Sequence, residues 1–407
     1  MIAEQSRQTP IGGLIDKVAS WNPAKDAPED ELAYIDLSAV DNTAKAVTGL
    51  QTVLGRDAPS RARQLVRSGD ILVSTVRPNL NGVARVPKEL DGATASTGFC
   101  VLRPNPSKLD GNYLFHWVRS PAFVADMVRK ATGASYPAVS DKIIGQSEIP
   151  LPPLAEQKRI AAILDQADEL RRKRQRALDR LNQLGQAIFI EMFGDPKSNP
   201  KGWTSARLGD LCDVGSSKRV FVEEFVESGV PFYRGTEVGK LGTGEVISPS
   251  LFIAPEHYDN LIRHSGKPEI GDLLLPSICH DGRIWRVDSS KPFYFKDGRV
   301  LWIKSHRAQL DSEYLRRYLQ NRFRYDYPSI ASGTTFAELK IINLKSLMVL
   351  SPPIELQAAF SRRISAIEAL RPPYSRAYLR ANALFASLQT RAFRGELTTS
   401  SLREAAA

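Results

Sequence analysis

The stretch Leu151-Pro152-Pro153-Leu154-Ala155-Glu156-Gln157-Lys158-Arg159-Ile160 returns 200 positions later as Ser351-Pro352-Pro353-Ile354-Glu355-Leu356-Gln357-Ala358-Ala359-Phe360, in a chain of 407 residues. Working upstream from it, the echo continues in collinear order. Gly133, Ser135 and Tyr136 answer to Gly333, Thr335 and Phe336, and Asp110-x-x-Tyr113-Leu114 answers to Asp311-x-x-Tyr314-Leu315. Gly69-Asp70-Ile71-Leu72-Val73 matches Gly271-Asp272-Leu273-Leu274-Leu275, and Tyr34-x-x-x-Ser38 matches Phe232-x-x-x-Thr236. A period near 200 is too long for a solenoid repeat, so each copy is expected to be a full domain with its own core. Two copies imply two similar sites.

Downstream of each Pro-Pro pair the pattern turns helical. Between Glu156 and Phe193 there is no Pro and a single Gly, and apolar residues alternate by three and four: Ile160, Ile163, Ala167, Leu170, Ala177, Leu181, Leu184 and Ile188, interrupted by Arg174. At about 1.5 Å per residue this is a helix of roughly 55 Å. The second copy offers Phe360, Ile367, Leu370, Tyr374, Ala377, Ala381, Leu384 and Leu388. Two matching seams are expected to bury each other as an antiparallel coiled coil about a pseudo-two-fold axis, with the globular parts at opposite ends; the alternative packs each seam on its own domain. Pro372 and Pro373 lie inside the second helical pattern and predict a kink or break there.

The remaining sequence reads as α+β. Short apolar or alternating runs punctuated by Gly, Pro, Asn and Asp, such as Ile71 to Ser74, Phe99 to Leu102 and Val300 to Lys304, predict strands in mixed or antiparallel sheets. Amphipathic stretches from Tyr113 to Arg129 and from Tyr314 to Tyr325 predict helices packed on them. The expected organisation is a globular part at 1–150, a long helix at 151–196, a second globular part at 197–350, a second long helix at 351–397 and a tail at 398–407.

A net charge of +10 and a pI near 9.4 favour a polyanionic partner, because clustered Lys and Arg release counterions from nucleic acid. Cys100, Cys212 and Cys279 lie far apart without ligand spacing, which points to buried thiols in a reducing compartment. No apolar run is long enough for a membrane span, and the expected location is the cytoplasm. Between the matched strands the copies diverge, and the divergent loops are candidates for reading base edges. They contribute Arg77, Asn79 and Asn81, then Ser135 and Tyr136, in the first copy. The second copy contributes Arg234 and Thr236, then His280, Arg283 and Arg286, and Thr334 and Thr335. The cluster Arg171-Arg172-Lys173-Arg174 on the first helix is a candidate for contacting phosphates or docking a partner subunit, and otherwise a solvated face.

Enzymatic motifs fail. The Pro-Pro pairs invite comparison with the Asn/Asp-Pro-Pro-aromatic motif of amino-group methyltransferases, but no amide or carboxylate precedes them and no aromatic follows. Structural punctuation at the start of a helix explains them better. No Walker A sequence, metal-spaced His/Cys set or Gly-x-Ser-x-Gly elbow is present. A methyltransferase or nuclease, and a scaffold that binds only proteins, stand as the competing functional classes.

The tandem variable regions, each followed by a long helix introduced by Pro-Pro-Leu-x-Glu-Gln-x-x-Ile, resemble the specificity subunit of type I restriction-modification systems. Ile149 to Ile160, continuing to Phe193-Gly194-Asp195-Pro196, looks like the family's central region; Pro352 to Gln357 through Phe393-Arg394-Gly395-Glu396-Leu397 looks like a drifted second copy, with Leu356 where the first has Glu156. The resemblance implies two target recognition domains, each reading half of an interrupted sequence in double-stranded DNA, with half-sites about one duplex turn, roughly 34 Å, apart. It implies helices that serve as a spacer and dock two methylation subunits, with restriction subunits joining. Glu156, Gln157 and Gln357 are the docking candidates it adds to the basic cluster. No cofactor is expected on this chain; S-adenosylmethionine, ATP and Mg are expected on the partner subunits.

Overall fold

The computed structural model describes residues 7–304, 309–332 and 337–397. The chain divides into two compact units, Met1–Arg176 with Ser375–Ala407, and Ala177–Tyr374. The division passes through both long helices, Leu154–Phe193 and Ile354–Phe393. The helices are therefore not bodies separate from the globular parts: each gives one half of itself to each unit.

In the first unit the Gly-Asp strand, Ile71–Ser74, lies between Val83–Arg85 and Phe99–Pro104, with Ile15–Asp16 outside the latter, all antiparallel. Its continuous apolar run reflects burial on both faces. Ile71, Val73, Cys100 and Leu102 pack toward the helices, while Leu72, Ala84, Phe99 and Val101 share a second core with Ile35, Val66 and Ala95. Behind that core a five-stranded sheet orders Ala19–Ser20, Ala62–Leu65, Thr94–Ser96, Glu31–Ile35 and Gln51–Leu54, with Thr94 opposite Tyr34 in a parallel pair. The second unit repeats this plan. Leu273–Pro276 lies between Trp285–Arg286 and Val300–Lys304, with Asp213–Gly215 outside the latter, and Phe232 faces Tyr294 in the corresponding parallel pair. Mixed sheets and helices make both units α+β. Cys100, Cys212 and Cys279 are buried and unbridged, as their scattered positions predict.

The repeated Pro-Pro-x-x-x-Gln motif has a mechanical meaning. Gln157 accepts from the backbone N–H of Asp110 at 2.9 Å and donates to the Pro152 carbonyl at 2.9 Å. Gln357 accepts from Asp311 N–H at 2.8 Å and donates to the Pro352 carbonyl at 2.7 Å. Asp110 and Asp311 in turn cap the helices that follow them, accepting from Asn112 and Tyr113 and from Glu313 and Tyr314. Tyr113 and Tyr314 donate to the carbonyls of Pro150 and Leu350. Strand exit, domain helix and long helix are thus tied together identically in both copies. Gln157 and Gln357 are buried and their amides engaged, so their expected docking role gives way to that of internal clamps.

Within each unit the two long helices run antiparallel. In the first, Arg159 donates to the Leu397 carbonyl and the Arg171 guanidinium lies 5.3 Å from the Phe385 ring. In the second, Arg371 bonds Asn182, and Phe189 and Phe193 meet Phe360 at 5.6 and 5.3 Å. Six of the eight predicted seam positions are in register: Ile160 and Ala167 are buried, and Ile163, Ala177, Leu181 and Ile188 are half-buried. Leu170 and Leu184 are exposed, and the intervening turns instead bury Leu164 and Gly185. Gly185 faces Ile364 of the second helix, where an added Cβ would meet it at 3.6 Å, an ordinary packing distance. Both predicted packing modes coexist, because Ile160, Leu164 and Phe385 also share a core with Tyr113 and Leu114 of the globular part.

The second helix runs unbroken through Pro372 and Pro373, so the predicted break is absent. Both prolines are exposed, which spares them a steric conflict with the core, although the carbonyls of Glu368 and Ala369 lose their usual helical donors. Both long helices stop at glycines with positive φ, Gly194 (81°) just after the first and Gly395 (79°) two residues after the second.

Candidate nucleic-acid interface

The divergent loops gather on one rim of each unit through equivalent backbone bonds. In the first, Thr75 N–H donates to Gly98, Val139 N–H donates to Thr75, and Arg77 N–H donates to Pro137 at 2.7 Å. In the second, Ser277 N–H donates to Arg299 and Leu339 N–H donates to Ser277. These bonds place the loop after the Gly-Asp strand beside a turn and a second loop, one framework carrying different side chains.

The first rim is strongly shaped. Arg77 and Asn81, both non-glycine residues at φ 49°, bracket the turn Pro78–Leu80. Left-handed backbone at such residues is costly and points to local function or tight anchoring. Arg77 is exposed and its guanidinium lies 4.7 Å over the ring of Tyr136, itself 68% exposed. Asn79 and Ser135 are exposed beside them. This pair presents a flat cation-aromatic surface with free N–H donors, suited to bases or phosphates. Asn81 differs: its amide donates to the Arg119 carbonyl at 3.3 Å and its own carbonyl accepts from Lys45, so it anchors the loop rather than projecting from it.

On the second rim His280 is exposed and Arg283 pairs with Asp281 at 2.6 Å. Tyr327 braces this loop, its hydroxyl accepting from Cys279 N–H and lying 3.2 Å from the Ser277 carbonyl. Arg234 is exposed, paired with Glu237, and adjoins the rim because Gly235 lies against Pro276 and Arg299. Thr236 is exposed in the helix that begins there. Arg286 departs from the expected grouping: strand Trp285–Arg286 carries it to Ser312, where it lines a cavity of about 460 Å³ with Arg316, Arg317 and Glu368. Thr334 and Thr335 lie outside the described residues. Arg299, paired with Glu338 on this rim, escaped the sequence reading because its counterpart is Gly98 and no repeated motif marks it.

Among the helix candidates, Lys173 and Arg174 are exposed, whereas Arg171 and Arg172 turn inward to Asp168 at 2.6 and 3.1 Å. Glu156 is half-buried and pairs with Arg159 at 2.6 Å. Burial works against ionisation of Asp168, but Arg119, Arg171 and Arg172 hold its carboxyl down at about 2. Nearby, buried His116 contacts Asp165 at 2.8 Å; burial lowers the His116 pKa against that carboxylate's pull. No metal-binding group of three or more His, Cys, Asp or Glu occurs among the described residues, and none of their helices is long and apolar enough to cross a membrane.

A family model for the type I restriction modification DNA specificity domain matches residues 64–180. The Type I restriction enzyme MjaVIII specificity subunit of Methanocaldococcus jannaschii is 27% identical over 286 residues, 64% of this chain and 64% of the relative. The match thus spans just under two thirds of that relative's length. A solved structure described as "Structural basis underlying complex assembly and conformational transition of the type I R-M system" matches with a TM-score of 0.55 and 27% identity, over 98% of this chain and 100% of that one. The type I restriction-modification system S subunit from M. genitalium shares the fold at a TM-score of 0.54, with 15% identity, over 97% of this chain and 98% of its own.

Proposed function

The chain belongs to the family of type I restriction-modification specificity subunits, and from that premise we propose that it directs its complex to an interrupted DNA sequence, each rim reading one half-site. The observation that carries this reading is the duplicated framework: equivalent hydrogen bonds hold both rims while the side chains on them differ. A constant frame with variable residues is what two readers of different base sequences require. The long helices, each shared by both units, serve as the spacer. Their outward Leu170, Leu184, Leu370 and Leu384, with Lys173 and Arg174, offer apolar and basic surface for two methylation subunits, and restriction subunits join that assembly. The chemistry belongs to those partners, which bring S-adenosylmethionine, ATP and Mg, while this chain acts in the cytoplasm as the reader without catalysis of its own.

The test is genome-wide mapping of adenine methylation in the native host with and without the gene. Deletion is expected to abolish methylation at one bipartite motif. A map that keeps every motif would refute the specificity role.

A further inference from the structure

Lys45 closes a short hairpin between Val40–Asp41 and Ala46–Val47 in a left-handed conformation, φ 55°, and its ammonium donates to the carbonyl of Asn81. Asn81 ends the reading loop that begins at Arg77 and bonds the carbonyl of Arg119. Around this knot positive charge accumulates. The side chain of Arg119 is 4% exposed and reaches Asp168 at 3.1 Å, the carboxylate that Arg171 and Arg172 also share. A second nearby carboxylate, Asp41, accepts from the N–H groups of Thr43 and Ala44, and a third, Asp165, bonds His116. Nε and Nη1 of Arg119 have no hydrogen-bond partner among the described residues, although Phe115 and Phe385 lie against the guanidinium at 4.6 and 5.8 Å. Burial, Arg119 and Arg171 together push the Lys45 pKa down to about 8. Lys45, Arg85, Arg119, Arg171 and Arg172, partly out of water, outnumber Asp41, Asp165 and Asp168, and an added anion relieves their repulsion.

The second copy keeps arginines around Glu368, the counterpart of Asp168, but with other residues at the remaining positions. Gln320 stands where Arg119 would be and Pro372 where Arg172 would be, and the chain equivalent to the hairpin brings Gly242 onto the backbone of Arg283 with no room for a side chain. Arg371, the counterpart of Arg171, is bonded to Glu368 and Asn182.

We propose that Lys45, Arg171 and Arg172, backed by Arg119, form a phosphate anchor for the DNA backbone beside the first reading rim. This rests on the DNA-reading role above and adds a contact that does not depend on sequence. A phosphate offers several acceptor oxygens to several converging donors, and guanidinium groups bind it through paired N–H contacts. Because Lys45 also holds Asn81, the anchor ties the reading loop to the backbone position, so Lys45 and Arg119 are positioning residues. Lys45 and Arg172 belong to the first copy alone, whereas the second gathers Arg316, Arg317 and Arg371 around Glu313 and Glu368.

The full-length chain is titrated with a short random-sequence duplex at salt concentrations from about 50 to 300 mM. The double variant Lys45→Gln, Arg172→Gln is expected to bind about tenfold more weakly at the lowest salt and to show a log-log slope shallower by about 1, as one lost phosphate contact requires, on every sequence tried. Lys45→Arg retains the slope, and so does Arg56→Gln, an exposed charge removed at a site paired with Glu29. A double variant that keeps the native slope and affinity overturns the anchor, as does an equal loss in Arg56→Gln. A native chain without any salt-dependent affinity overturns the DNA-reading role itself. Thermal melting of each variant separates loss of contact from loss of fold.

Discussion

At Gln157 and Gln357 one buried amide joins three chain segments whose backbone groups would otherwise lie unpaired away from water. Leaving such groups unsatisfied costs about 1 to 3 kcal/mol each. Gln357→Ala is therefore expected to lower the stability of the second unit by roughly 2 to 4 kcal/mol, since Asp311 N–H and the Pro352 carbonyl both lose a partner. Chemical denaturation followed by tryptophan fluorescence measures it; a midpoint unchanged from the native chain would show that water replaces the amide. The motif was legible in sequence as a repeated Gln. Its role was not, because the sequence cannot display that the acceptor of Asp110 N–H lies 47 positions downstream.

At the scale of the element, the long helices were legible in length and period, and in register except at Leu170 and Leu184 in the first of them. Apolar residues occupy adjacent positions at Ile163 and Leu164, so pattern alone leaves the choice of face open. At Leu184 and Gly185 it selects the wrong one: Leu184 is exposed while Gly185 faces Ile364 of the other helix. The two prolines of the second helix show the opposite relation, where a strong local signal is overridden by packing on either side. A proline in a helix interior costs about 3 kcal/mol, offset by about 1 kcal/mol through the stiffer unfolded chain. Replacing Pro372 and Pro373 together by Ala is expected to raise the melting temperature by roughly 5 °C or more, read by scanning calorimetry. An unchanged or lower value would mean that the helix is already distorted to accommodate them.

At the scale of the molecule, the two units carry their reading residues on frames that share two equivalent backbone bonds. Exchanging residues 200–350 for the corresponding segment of another specificity subunit is expected to change one half of the methylated motif and leave the other intact. Methylation mapping of cells carrying the exchange would show it, and a change in both halves would contradict independent readers.

The amino-acid sequence by itself determined the duplication, the α+β class, the two long helices and the resemblance to specificity subunits, because each is written in local spacing and in residues that recur at a constant offset. The tertiary structure alone decided which face of each helix is buried, that Gln157 and Gln357 work inside, that Asn81 anchors while Arg77 projects, and that Asn81 joins Lys45 to the Arg119 carbonyl. Those outcomes depend on contacts between residues far apart in the chain, where burial and charge are set by neighbours that no local pattern names.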